Sequence, residues 1–341
     1  MPSLRLKRFS LILLLLLGSI FVIILLGGLL FKNLYPFPKT IIYGVSFSPK
    51  FAADLRMNWK EVYLKIFSDL KVKHIRIPTY WDTLEKDDSI YDFSSTDFML
   101  DEAGKACAKV ILTLGARQYR WPECHIPTFA KNLNVVERQQ KISQFIQTVV
   151  ERYRSNPTII AWEVENEVLL KSFGAGCDEP DRKFLSSEVE LVKMLDNRPI
   201  ILTDSGELRA WVTPMKLSDI FGTTVYRTVY NKFLGYTSYP ILPYFYNLKS
   251  GFIRSIFAPQ NQKTIIIELQ AEPWSPNNNL VDTNIEEQAN LFTVNNFKDN
   301  VAFAKGTGFD EIYLWGVEWW YFMDKFGNPT YLDYARGLLS P

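Results

Sequence analysis

The chain has 341 residues, 47% of them hydrophobic and 15% aromatic, and a formal net charge of +1. This length supplies a sizeable core in one large domain or two, and the near-zero charge excludes a nucleic-acid binder. The three cysteines and two histidines form no cluster with zinc-ligand spacing.

The charge is uneven. Residues 1–32 hold Arg5, Lys7, Arg8 and Lys32 and no acid, so the rest is mildly acidic. Residues 11–31, LILLLLLGSIFVIILLGGLLF, carry no charge. A helix over that range rises roughly 30 Å, enough to cross a bilayer core. The preceding basic residues orient it by the positive-inside rule. The expected organisation is a basic cytoplasmic tail (1–10), a transmembrane anchor in the lipid bilayer (11–31), a linker (32–39) and one domain outside the cytoplasm (40–341). A cleaved signal peptide, releasing a secreted domain, is the alternative.

Beyond the linker the sequence alternates short Ile/Val-rich runs with longer amphipathic segments. Strands are predicted at 40–47, 74–78, 109–115, 158–164, 199–204, 219–226, 263–269 and 311–317. Helices are predicted at 58–72, 93–108, 134–154, 180–196, 208–216, within 243–258, at 285–308 and at 328–339. Eight βα units in this length predict an α/β fold, a (β/α)8 TIM barrel preceded by a single N-terminal transmembrane helix. An open doubly wound sheet would need a glycine-rich nucleotide turn, and the sequence has none.

Active residues of such barrels sit at the C-terminal strand ends. The second strand ends at Arg76. The third runs into GARQYRWPECHIP (115–127), which holds Arg117, Gln118, Trp121 and His125. The fourth ends in WEVENE (162–167), the seventh at Glu268, and the eighth in WGVEWW (315–320), with Trp315 and Glu318. The sixth ends at Tyr226. Asp204 and Glu207, after the fifth, read as caps for the next helix. Two carboxylates, a cation, an amide, a phenol and indoles therefore converge on one rim. Paired carboxylates suit glycosidic-bond hydrolysis, and aromatic faces suit sugar rings. Cys124 and Cys177 lie in two loops and are the pair considered for a disulfide.

These residues resemble the clan A glycoside hydrolases, the retaining (β/α)8 superfamily with cellulase- and mannanase-like family 5 and β-galactosidase-like family 42. The resemblance spans residues 40–338. It is most specific at WEVENE and at IIIELQAEPW (265–274); SIYDFSSTDFMLDEA (89–103) adds to it. Val168 follows the Asn-Glu pair where cellulases commonly have proline. The resemblance implies Glu167 as acid/base and Glu268 as nucleophile, with Glu272 a nearby rival. It also implies substrate contacts from Arg76, Asn166, Tyr226 and Trp315, a carbohydrate substrate, and no metal or organic cofactor. His125, Trp121, Gln118 and Glu318 are further expected substrate contacts. The expectation is a membrane-anchored retaining glycosidase acting on β-linkages. A transglycosylase with the same residues and a catalytically silent glycan-binding barrel are the alternatives. By strand alternation Glu163, Glu165 and Glu167 share one face. A bulge near the strand end is one way to turn Glu165 outward, and no role is assigned to it.

Overall fold

Eight parallel strands close into a barrel in chain order: β1 (Ile42–Ser46), β2 (His74–Pro78), β3 (Lys109–Leu114), β4 (Ile159–Val164), β5 (Ile200–Asp204), β6 (Ile220–Val225), β7 (Lys263–Gln270) and β8 (Glu311–Trp315). β8 pairs with β1, which closes the ring. The structure is a computed structural model that describes residues 38, 40–171, 174–231, 233, 235–259, 261–274 and 280–340.

Strand alternation divides the core in two. Inside the barrel, Ile111, Ala161, Ile201, Ile265, Ile267 and Tyr313 form one cluster. The alternate residues, such as Ile75, Ile77, Trp162 and Val164, point outward and pack under the helices in a far larger cluster. Each strand is thus buried on both faces, which is why it reads as an apolar run. Helices whose apolar residues recur at i, i+3 and i+4 cover the outside. Val135–Tyr153 begins at a capping box of Asn134 and Glu137, and it buries Ile142, Phe145, Ile146, Val149 and Val150.

Two predicted elements are divided or shortened. The helix expected over 285–308 is two, Ile285–Leu291 and Val294–Gly306, because Thr293 caps the second with Asn296. The eighth strand stops at Trp315, where Gly316 takes φ 124° and a buried helix, Val317–Lys325, begins. Short helices at Pro49–Asp54 and Trp81–Leu84 escape prediction, as does the hairpin Thr228–Asn231/Gly235–Ser238 after β6.

The membrane part of the expected architecture is corrected. Among the described residues no helix is long and apolar enough to cross a membrane. The expected anchor, 11–31, lies outside the described residues, as do the tail 1–10 and most of the linker. Over the described residues the fold class is the (β/α)8 barrel, and the expected transmembrane helix is not among their elements. The lipid-bilayer contact and the single-pass placement, with a cytoplasmic N-terminus and the domain outside, are withdrawn with it.

Candidate active site

A cleft of about 800 Å³ opens over the C-terminal ends of the strands, and Asn166, Glu167, Tyr226, Glu268, Trp315 and Trp121 line it. Below them Arg76, fully buried, points inward from β2 because Ile75 and Ile77 take the outward positions. Its guanidinium grips Glu163 through Nε (2.6 Å) and Nη2 (2.5 Å). Nη1 donates to Glu268 Oε1 at 2.6 Å, and Nη2 also reaches Asn166 Oδ1 at 2.8 Å. One cation therefore fixes three site residues from two other strands. The Tyr119 ring lies under it, 4.0 Å from the guanidinium carbon.

β7 carries Glu268 with a register shift. Ile266 pairs with Thr223, and the next pair is Glu268 with Thr224, so Ile267 is an extra residue. This bulge lets consecutive side chains serve one side of the strand: Ile267 packs inside the barrel and Glu268 reaches Arg76. The second Glu268 oxygen accepts the Tyr226 phenol at 2.8 Å.

The regular alternation expected for WEVENE ends at Val164. Glu165 and Glu167 both adopt left-handed φ, 58° and 45°, a conformation rare in residues with a Cβ. Glu163 faces the axis and Arg76. Glu165 turns aside, by this left-handed turn, and accepts the backbone N–H groups of Ala116 (2.8 Å) and Arg117 (2.6 Å). Its carboxyl occupies the space a Cβ on Gly115 would need. It also lies within hydrogen-bonding reach of the buried Glu188.

Glu167 sits at the rim. Its backbone N–H donates to Thr203 Oγ1 (2.8 Å), and its Oε1 accepts from Thr224 Oγ1 (3.0 Å). Burial, followed by the negative charges of Glu268, Glu123 and Asp204, holds its carboxyl well above the ordinary range. The two cleft carboxyls thus meet unlike surroundings: Glu268 faces a guanidinium and a phenol, while Glu167 faces one hydroxyl and other acids.

Trp315 is held from two sides. Its Nε1 donates to Glu272 at 2.8 Å, and the Arg120 guanidinium carbon lies 3.9 Å from its ring centroid. Arg120 is itself ion-paired to Glu272 and to Glu318, the latter at 3.0 Å. Glu272 is therefore engaged with Arg120 and Trp315, apart from the Arg76–Glu268 pair. The sequence reading missed Arg120, a loop residue with no periodic signal to mark it.

Several expected contacts lie elsewhere. Gln118 is fully buried and staples loops together, donating to Thr79 O (2.7 Å) and Gly115 O (2.9 Å) while accepting from Thr79 N (2.8 Å). His125 is buried behind Lys50, whose Nζ lies 3.0 Å from Nδ1. Burial and the Lys50 charge push its pKa down to about 3, so it is neutral. Glu318 is also fully buried; it accepts from the Ser48 N–H and anchors Arg120. None of the three lines the cleft. Neither Asp204 nor Glu207 caps the next helix, Val212–Leu217, whose N-cap is Trp211. A disulfide joins Cys124 to Cys177, with Cα atoms 5.3 Å apart, and ties the β3 loop to the β4 loop.

The family model described as "Cellulase (glycosyl hydrolase family 5)" matches residues 43–204, which include Arg76 and the Asn166–Glu167 pair. The chain is a (β/α)8 barrel whose residues 43–204 are similar to glycosyl hydrolase family 5. A curated relative, the β-galactosidase LacZ of Lactobacillus acidophilus, is 23% identical over 48% of this chain and 27% of its own length. The chain thus spans about a quarter of that relative. Among solved structures, GH5_18 from Bifidobacterium longum subsp. longum superposes with a TM-score of 0.60 and 12% identity, over 81% of this chain and 70% of that one. The β-galactosidase from Bacillus circulans sp. alkalophilus gives a TM-score of 0.52 at 13% identity, covering 81% and 50%. At these identities the structural likeness speaks for the fold.

Proposed function

We propose that the chain is a retaining glycosidase in which Glu167 is the acid/base and Glu268 the nucleophile. The observation that carries this reading is the unlike environment of two carboxyls in one cleft. A retaining enzyme needs one carboxyl that keeps its proton and one that attacks as an anion. Burial and neighbouring acids keep the proton on Glu167. Arg76 and Tyr226 direct their donors at Glu268.

In the first step Glu167 gives its proton to the glycosidic oxygen while Glu268 attacks the anomeric carbon. The C–O bond breaks, the leaving sugar departs as an alcohol, and a glycosyl ester forms on Glu268. Glu167, now ionised, takes a proton from water, which displaces Glu268 and releases the second sugar. The Asn166 carboxamide, oriented by Arg76, offers its amide group to a sugar hydroxyl. Trp315, pinned by Glu272 and Arg120, supplies an aromatic face to the ring's C–H groups. Neither step draws on a cofactor.

The test is release of aryl leaving groups from a panel of aryl β-glycosides, starting with β-galactosides because of the named relatives. The wild type is expected to release the aryl group, Glu268→Gly to lose that activity, and added azide to restore part of it by attacking in place of the carboxylate. An α-glycosyl azide product, inverted relative to the β-linked substrate, identifies Glu268 as the nucleophile. Undiminished turnover by Glu268→Gly without azide would refute the assignment.

A further inference from the structure

The phenol of Tyr226 reaches Glu268 from a residue just past the end of β6, where ladder hydrogen bonds no longer fix the backbone. Three consecutive backbone N–H groups there, of Tyr226, Arg227 and Thr228, donate to side chains from neighbouring strand ends. Tyr226 N–H donates to Glu207 Oε1 at 3.0 Å. Arg227 and Thr228 N–H both donate to Gln270 Oε1, at 3.0 and 2.9 Å. Gln270 Nε2 returns a bond to Thr228 O at 2.7 Å, so both ends of this buried amide are committed to one turn.

The acceptors are themselves fixed. Glu207 Oε1 also accepts the hydroxyl of the fully buried Tyr246, at 2.6 Å. Gly206 brings this loop against β6; a Cβ there would collide with Thr224 O and the Tyr246 ring. Gln270 sits two residues after Glu268, and its carbonyl accepts from Asn300 Nδ2 at 2.8 Å. The turn that carries the phenol is therefore tied to the strand that carries its carboxylate partner.

We propose that Glu207 and Gln270 are positioning residues, which hold the Tyr226 turn so that its phenol stays on Glu268. They act through Tyr226 and touch neither sugar nor the reacting atoms. The inference rests on Glu268 as nucleophile. A turn bound on three successive N–H groups cannot shift by one residue without leaving an acceptor or a donor unpaired, and partly buried groups resist that.

The experiment is a double-mutant cycle on the most active aryl glycoside, with Glu207→Leu, Glu207→Gln and Tyr226→Phe. Losing a hydrogen bond to a charged group costs about ten- to a hundredfold in rate. Glu207→Leu is expected to lose about that in kcat, with KM changed less than about threefold. Glu207→Gln, which keeps an acceptor oxygen, is expected to regain most of the loss. In the Tyr226→Phe background Glu207→Leu is expected to cost less than about twofold, because the group it positions is gone. An equal loss in both backgrounds would overturn the proposal. If Glu207→Leu does not fold, Gln270→Met enters the same cycle. Crystal structures of the variants decide independently of turnover: a phenol still 2.8 Å from Glu268, as in the native site, also overturns it. A wild type inactive on every glycoside would instead count against the glycosidase reading, and the variant structures would still decide the positioning role.

Discussion

Glu188→Gln is the sharpest test of the electrostatics behind β4. Glu165 and Glu188 are both buried, and Glu188 receives no hydrogen bond from a conventional donor in the described structure. Two facing buried carboxyls are tolerable only while at least one proton stays on the pair. Burial pushes Glu165 up to about 7 from an ordinary 4.5, and Glu188 is held well above the ordinary range by burial and by the Glu165 charge. Between those two pH values the folded chain keeps a proton that the unfolded chain has released. Stability therefore falls as pH rises through this window, at about 1.4 kcal/mol per pH unit for one proton. The pair contributes on the order of 3 kcal/mol of pH dependence across the window, or roughly 5 °C in Tm. The neutral amide introduced by Glu188→Gln can donate to the Glu165 carboxylate and removes the Glu188 share of that dependence, leaving the share due to burial of Glu165. Thermal melts of wild type and variant from about pH 4.5 to 8, a range that spans the window, measure it. The variant is expected to show a shallower decline and a relative gain at the alkaline end. Parallel curves would refute the shared proton.

Two further perturbations follow from the same network. Arg76→Met leaves Glu163 buried without its cation, and unfolding titrations are expected to show a loss of about 3–5 kcal/mol, part of which the added Glu163→Gln change recovers. Reducing the Cys124–Cys177 bond opens a loop with a sequence separation of 53; chain entropy puts the loss at about 4 kcal/mol, readable as a lower denaturation midpoint in reductant, and an unchanged midpoint would show that the loops hold without it.

The barrel was legible because its signals are local. A strand buried on both faces reads as a short apolar run, and a helix on the outside reads as a 3.6-residue period. The same rule misread Val317–Lys325: this helix is almost entirely buried, so its apolar residues show no face, and Trp315–Trp320 look like one strand end. The short helices at 49–54 and 81–84 are too brief to show a period. In the site, strand ends pointed to Arg76, Asn166, Glu167, Tyr226, Glu268 and Trp315, and the fold brings these together. Gln118, His125 and Glu318 were chosen as polar residues near the rim, yet their polar atoms bind loops, Lys50 and Arg120. A donor-rich loop has the same composition whether it faces a cleft or holds itself together.

By itself the sequence determined the order of the eight βα units and the residue at each strand end, because both follow from neighbours along the chain. Only the tertiary structure decided which charges meet. The bulge at Ile267 aims Glu268 at Arg76, and the turn at Glu165 carries that carboxyl to Glu188. Glu167 keeps its proton partly through Glu268 and Asp204, which lie on other strands. Electrostatic energy depends on distance and burial in space, and neither can be read from spacing along a chain.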